Sequence, residues 1–199
     1  MSQLTKGVVL LMLVVGLVAC ASTTIRESWR DPGVGRIEFK KVLAMAISAD
    51  ATLRRIAEDE MVRQMPGVEA VASYTVLTEE DSRDLEQAKA KVTAAGFDGV
   101  VTMRLIKSEK RVTQVPGAYT TSYPRFWGYY GHAWPMVYDP GYLRTDTIVQ
   151  VETKVYSLMD DKLIWAGLSE TFNPRDAQAL VRGVAQAVAN DLQKQGLIA

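Results

Sequence analysis

Acid–base, metal or nucleophilic chemistry needs histidines, cysteines, carboxylates or activated hydroxyls brought together, and this chain offers few of them. Its one histidine, His132, has Asp139 seven residues further on, and its one cysteine is Cys20. No His-x-x-x-His or Cys-x-x-Cys spacing occurs, so a zinc site would have to be built from carboxylates alone. A serine hydrolase would need a nucleophile beside its base, and no Gly-x-Ser-x-Gly elbow is present. The remaining enzymatic option is an envelope hydrolase that cuts glycan or peptide with two facing carboxylates. The acidic clusters have simpler readings: Glu58, Asp59 and Glu60 point in different directions on a helix, Glu79 to Asp81 start a helix, and Asp160-Asp161 sit at a hairpin tip. Arg54 or Arg55 with Glu58 is spaced as an intrahelical ion pair on a solvated face, worth about 0.2 to 0.5 kcal/mol. These patterns assign no catalytic residue, no metal and no cofactor.

Cys20 carries a different chemistry. It follows Leu17-Val18-Ala19, which closes the apolar run Gly7 to Ala19 behind Lys6. Those 13 residues fall short of the roughly 20 that cross a bilayer as a helix, so they read as the core of a signal peptide. A small residue before cysteine is the processing box of bacterial lipoproteins, which implies cleavage after Ala19 and acylation of Cys20. Each buried methylene contributes about 0.8 kcal/mol, so two or three acyl chains, palmitate among them, hold a protein on a membrane. Ala21 and Ser22 after the cysteine, rather than aspartate, fit outer-membrane sorting in a Gram-negative envelope, with the domain facing the periplasm. Losing Lys6 leaves 22 basic against 23 acidic residues. A balance so close to neutral, with no basic stripe, argues against a nucleic-acid partner.

A second informative region is rich in aromatics. Tyr119, Tyr123, Phe126, Trp127, Tyr129, Tyr130, Trp134, Tyr138 and Tyr142 are nine of the sixteen aromatic residues, and with His132 they fall in the segment 116–144, broken by four prolines and four glycines. That composition forbids a long regular element. The rings could pack together and cap a sheet face or edge, form a recognition surface for a protein or glycan, or settle at a membrane interface.

The remaining residues predict what positions this loop. Residues 1–19 are the signal peptide, 20–35 a lipidated tether with little regular structure, and 36–199 one mixed α/β domain carrying the aromatic insertion. Val42 to Ile47 shows no alternation, as in a strand covered on both faces. Asp50 caps a helix that ends before Pro66-Gly67, Ala72 to Leu77 is a strand, Glu79 to Ala95 a helix stopped by Gly96, and Val100 to Ile106 a third strand. This order implies right-handed crossovers and a parallel three-strand β-α-β-α-β core. Thr147 to Leu158 and Leu163 to Phe172 then form an antiparallel hairpin, with Val149, Val151, Thr153 and Val155 facing the core. Asn173 as N-cap and Pro174 open a C-terminal helix that ends at Gly196.

Four motifs lie on these elements: Ser28-Trp29-Arg30-Asp31-Pro32, Arg54-Arg55-Ile56-Ala57-Glu58-Asp59-Glu60, Gly96-Phe97-Asp98-Gly99 and Leu163-Ile164-Trp165-Ala166-Gly167. In these the chain resembles bacterial lipoproteins of the domain-of-unknown-function 4136 family. The resemblance implies an envelope location and no established enzymatic activity. The expectation is therefore a lipid-anchored, periplasm-facing module that works by contact through its aromatic loop, with membrane and an envelope protein or glycan as partners.

Overall fold

The computed structural model describes residues 22–115, 124–131 and 141–199, which form a mixed α/β fold. Six strands make one sheet in the order β1-β6-β5-β4-β2-β3: β1 Ser22–Arg30, β2 Lys41–Ile47, β3 Glu69–Ala72, β4 Gly99–Val115, β5 Tyr142–Ser157 and β6 Lys162–Phe172. β3, β2 and β4 run parallel, while β4-β5, β5-β6 and β6-β1 are antiparallel. The helices are α1 Ala51–Arg63, α2 Leu85–Ala94, a short α3 over 126–131, and α4 Ala177–Lys194. α1 and α4 cover one sheet face over a core that includes Ala44, Met103, Val155, Trp165 and Val184. α2 covers the other face through Ala88 and Val92 against Leu43, Phe97 and Val100. One crossover passes above β2 and the next below it, which is why β2 is apolar without alternation.

Asp50 caps α1, its Oδ1 accepting from the N–H groups of Thr52 and Leu53 at 2.8 and 3.0 Å. Val149, Val151, Thr153 and Val155 all face the core as the alternation predicts. Gly96 and Gly196 both have positive φ, which glycine alone adopts without strain, and both end helices.

Several boundaries differ from the sequence-based expectation. The segment predicted as a tether contains β1, an edge strand on β6, with Thr23 Oγ1 and Thr171 Oγ1 2.9 Å apart. A bulge between Ile25 and Glu27 moves the half-buried positions from Thr23 and Ile25 to Arg30, which breaks the alternation that would have revealed a strand. The strand expected over 72–77 shares only Ala72 with β3, Glu69–Ala72, because Ser73–Thr75 turns inward to serve a buried carboxylate. The helix expected over 79–95 is a 3₁₀ turn, Asp81–Arg83, followed by α2 with Asp84 as its cap. Asp176 rather than Asn173 caps α4, since Asn173 Oδ1 accepts from Thr147 N–H and its Nδ2 donates to Asp146. β4 is far longer than 100–106.

Candidate functional site

The long β4 explains how the aromatic segment is carried. Ser22 pairs with Phe172, Phe172 with Ile148, and Ile148 with Glu109, a row that crosses β1, β6, β5 and β4. β1 begins at that row, whereas β4 and β5 continue past it as a two-stranded ribbon of six more pairs, from Lys110↔Thr147 to Val115↔Tyr142. At about 3.3 Å per residue the ribbon extends roughly 20 Å beyond its neighbours. The first residue of β1, Ser22, therefore stands at the end of the sheet past which the ribbon projects.

Of the expected contact residues, Phe126, Trp127, Tyr129 and Tyr130 lie on α3, and Tyr142 opens β5. Phe126 packs against Trp127 with centroids 5.1 Å apart, and Tyr130 lies 6.0 Å from Phe126 and 5.8 Å from Trp127. The rings touch one another but cover no sheet face: Trp127 is 77% exposed and Phe126 64%. Val112, Tyr142 and Leu143 on the ribbon are exposed as well. Tyr119, Tyr123, His132, Trp134 and Tyr138 lie outside the described residues, as does Cys20.

The acidic clusters do structural work, and one corrects the sequence reading. Glu58 is fully buried instead of lying on a solvated face. Its Oε1 accepts from Arg54 Nε at 3.0 Å, Ser73 Oγ at 2.7 Å and the Ala46 N–H at 3.0 Å, and its Oε2 accepts from the Tyr74 N–H at 2.8 Å. This carboxylate ties α1 to β2 and to the turn after β3. Glu60 is also buried and accepts from Arg63, Gln64 and Arg182, the last reaching across from α4. Burial works to raise the Glu60 pKa, but the hydrogen bonds from Arg63, Arg182 and Gln64 outweigh it and hold the group below its ordinary value. Asp81 is held low by Lys91 and by the Thr78 N–H. Among the described residues no three His, Cys, Asp or Glu side chains are grouped to hold a metal.

Sequence reasoning missed a cavity of about 470 Å³ between α1, α4 and the sheet. Met61, Val101, Met103, Val155, Val188 and Leu192 form much of its wall. Pro66, Gly67 and Ala199, all exposed, lie at its rim. No lysine, arginine, histidine or side-chain carboxylate lines it. Thr153 does, and its Oγ1 is the one buried side-chain polar atom among the described residues without a hydrogen-bond partner. Water needs two to four polar partners to be held well and finds little here. The visible signal was the hydroxyl of Thr153 set among valines at an inward position.

No protein-family model matches the chain, and none of the curated proteins does. Among solved structures, the PelC dodecamer from Paraburkholderia phytofirmans is similar at 10% identity, covering 84% of this chain and 95% of its own, with a TM-score of 0.41. Lipoprotein GNA1162 from Neisseria meningitidis is similar at 13% identity, covering 78% and 99%, with a TM-score of 0.39. Likeness of that degree carries no functional argument.

Proposed function

We propose that this protein is a lipid-anchored envelope module facing the periplasm, working by contact rather than catalysis, with the aromatic loop of the β4-β5 ribbon as its contact surface. The observation that supports this most is the exposed ring cluster of Phe126, Trp127 and Tyr130 in the segment between β4 and β5, the two strands that run past the end of the sheet at which β1 begins. Exposed aromatic patches of this kind mark interaction sites, because rigid rings with polar tips give large contact area at small entropic cost. Tethering through acyl chains then confines the partner to the neighbourhood of the membrane. Of the carboxylates in the acidic clusters, Glu58, Glu60 and Asp81 are paired with arginine or lysine within the fold.

Affinity capture from envelopes tests this, using the full lipidated chain and a version with residues 116–141 replaced by a Gly/Ser linker. Partners held by the intact chain are expected to be lost from the linker version while its circular dichroism is unchanged. Retention of every partner would end the contact-surface reading. Mass spectrometry of the purified protein tests the address separately: the leader should be absent and Cys20 acylated, and a bare thiol overturns it.

A further inference from the structure

We infer that the β4-β5 ribbon rests in the anionic lipid leaflet that holds the acyl chains of Cys20, with exposed rings at headgroup level and basic side chains on lipid phosphates. This rests on the proposed acylation and names lipid as what the ring-bearing surface meets. Three observations carry it. The first is reach. β1 begins at Ser22, so Cys20 is two residues from the sheet instead of at the far end of a tether. Consecutive Cα atoms are about 3.8 Å apart, which keeps Cys20 within roughly 8 Å of Ser22. The ribbon runs roughly 20 Å past the row in which Ser22 lies. A leaflet that anchors Cys20 and meets that end of the sheet therefore meets the ribbon too.

The second is chemistry. The described residues from Lys110 to Thr147 hold four basic side chains, Lys110, Arg111, Arg125 and Arg144, against one carboxylate, Asp146, which is buried and paired with Arg144. In sequence the rest of that span adds only Asp139 to these charges, in a chain whose 23 basic and 23 acidic residues balance. Val112, Phe126, Trp127, Tyr130, Tyr142 and Leu143 in the same span are exposed. Amphipathic rings settle at headgroup level, and lysine and arginine beside them draw anionic lipid. The third is what another seat would offer. With edge strand β1 laid along the surface, lipid would meet Thr24, Arg26, Glu27 and Ser28, and Trp29 as the one exposed ring of that strand. That edge has neither an excess of positive charge nor a group of apolar side chains.

The test uses the lipidated full chain in protein-free vesicles of phosphatidylcholine, with and without phosphatidylglycerol, that carry a lipid with a nitroxide near its headgroup. Acylation consumes the Cys20 thiol, so Leu143→Cys or Met159→Cys gives the chain a single reactive thiol for a bimane label. Both positions are exposed, and Met159 follows the opposite end of β5. The label at 143 is expected to be quenched several-fold more than the label at 159, and more strongly with phosphatidylglycerol. Lys110→Gln together with Arg111→Gln should remove that increase. Equal quenching at the two positions overturns the ribbon's seat, and quenching indifferent to phosphatidylglycerol and to both substitutions overturns the anionic leaflet. A label at 143 that stays bright in vesicles but is shielded from iodide in native envelopes assigns the surface to a protein or glycan; lipid is then overturned while the contact reading stands. A chain that does not float with the vesicles fails at its anchor, which overturns the acylation and this seat together.

Discussion

Strand β4 has two halves that live in different surroundings. From Gly99 to Met103 it lies between β2 and β5, with residues alternately packed against α1 and α4 or against α2. From Arg104 to Gln114 every residue is exposed, and beyond Arg104, which still pairs with Ile47 of β2, the one neighbouring strand is β5. Both halves keep the same hydrogen-bonded ladder, so the ladder alone does not bury anything. The first half is held by side chains that would be costly to change. Past Leu105, where a bulge interrupts the register, side chains are released from packing and can be chosen for what they meet outside. The comparison predicts that the molecule's stability resides in the sheet domain and its contacts in the ribbon.

The largest expected effect lies beneath α1. Arg54→Met leaves Glu58 buried without its cationic partner, and removing one member of a buried pair costs about 3 to 5 kcal/mol. Arg54 keeps partial exposure, which sets the expectation at the low end, about 3 kcal/mol by urea denaturation. A loss below about 0.5 kcal/mol, typical of exposed pairs, would show that the domain does not depend on this network.

Acid unfolding gives a smaller effect on the same side of the comparison. Glu60 has a folded-state pKa below its unfolded value, so its stabilising contribution is fully present above the ordinary glutamate range near pH 4.3 and is lost as pH falls through the lower folded value. Glu60→Gln should lower Tm at pH 6. The gap between variant and wild type should narrow as pH falls below the ordinary glutamate range; a gap that stays constant would mean the Arg63 and Arg182 contacts do not shift the carboxyl.

Much of the sheet domain was legible in sequence, and the reason is physical. β2 announces itself by uninterrupted apolar residues, α1 by Asp50, and β5 by strict alternation, because each is decided by local packing. What stayed hidden depended on partners remote in sequence. β1 was obscured by its bulge, and the burial of Glu58 by Ser73 and Tyr74, 15 and 16 residues away. The motifs that carry the family resemblance turn out to be structural joints. Asp98 accepts from the Lys40 and Lys41 N–H groups, Asp31 from Gly33 N–H with Lys162 beside it, and the Trp165 ring lies over Gly167, where a Cβ would come within 2.2 Å of it. The aromatic residues were read as a contact set from composition. Their exposure, and the ribbon that carries them, needed the pairing of β4 with β5, which no local pattern encodes.

The smallest stability effect, and the sharpest discrimination, belongs to the loop. Trp127 is 77% exposed, so Trp127→Ser should alter unfolding free energy by no more than about 0.5 kcal/mol. Capture of envelope partners by the lipidated chain should nonetheless fall, because a ring at the centre of an interface carries far more binding energy than folding energy. A substitution that destabilised the domain by more than about 1 kcal/mol would show that the cluster packs on the sheet after all, and the two halves of β4 would then share one role. Unchanged stability with reduced capture would assign the far half of the ribbon to contact alone. It would also explain why a strand pair is built longer than its sheet requires: six pairs of unpacked ladder add little to the core, and they set the ends of β4 and β5, between which the ring-bearing segment lies, roughly 20 Å past the row at which β1 begins.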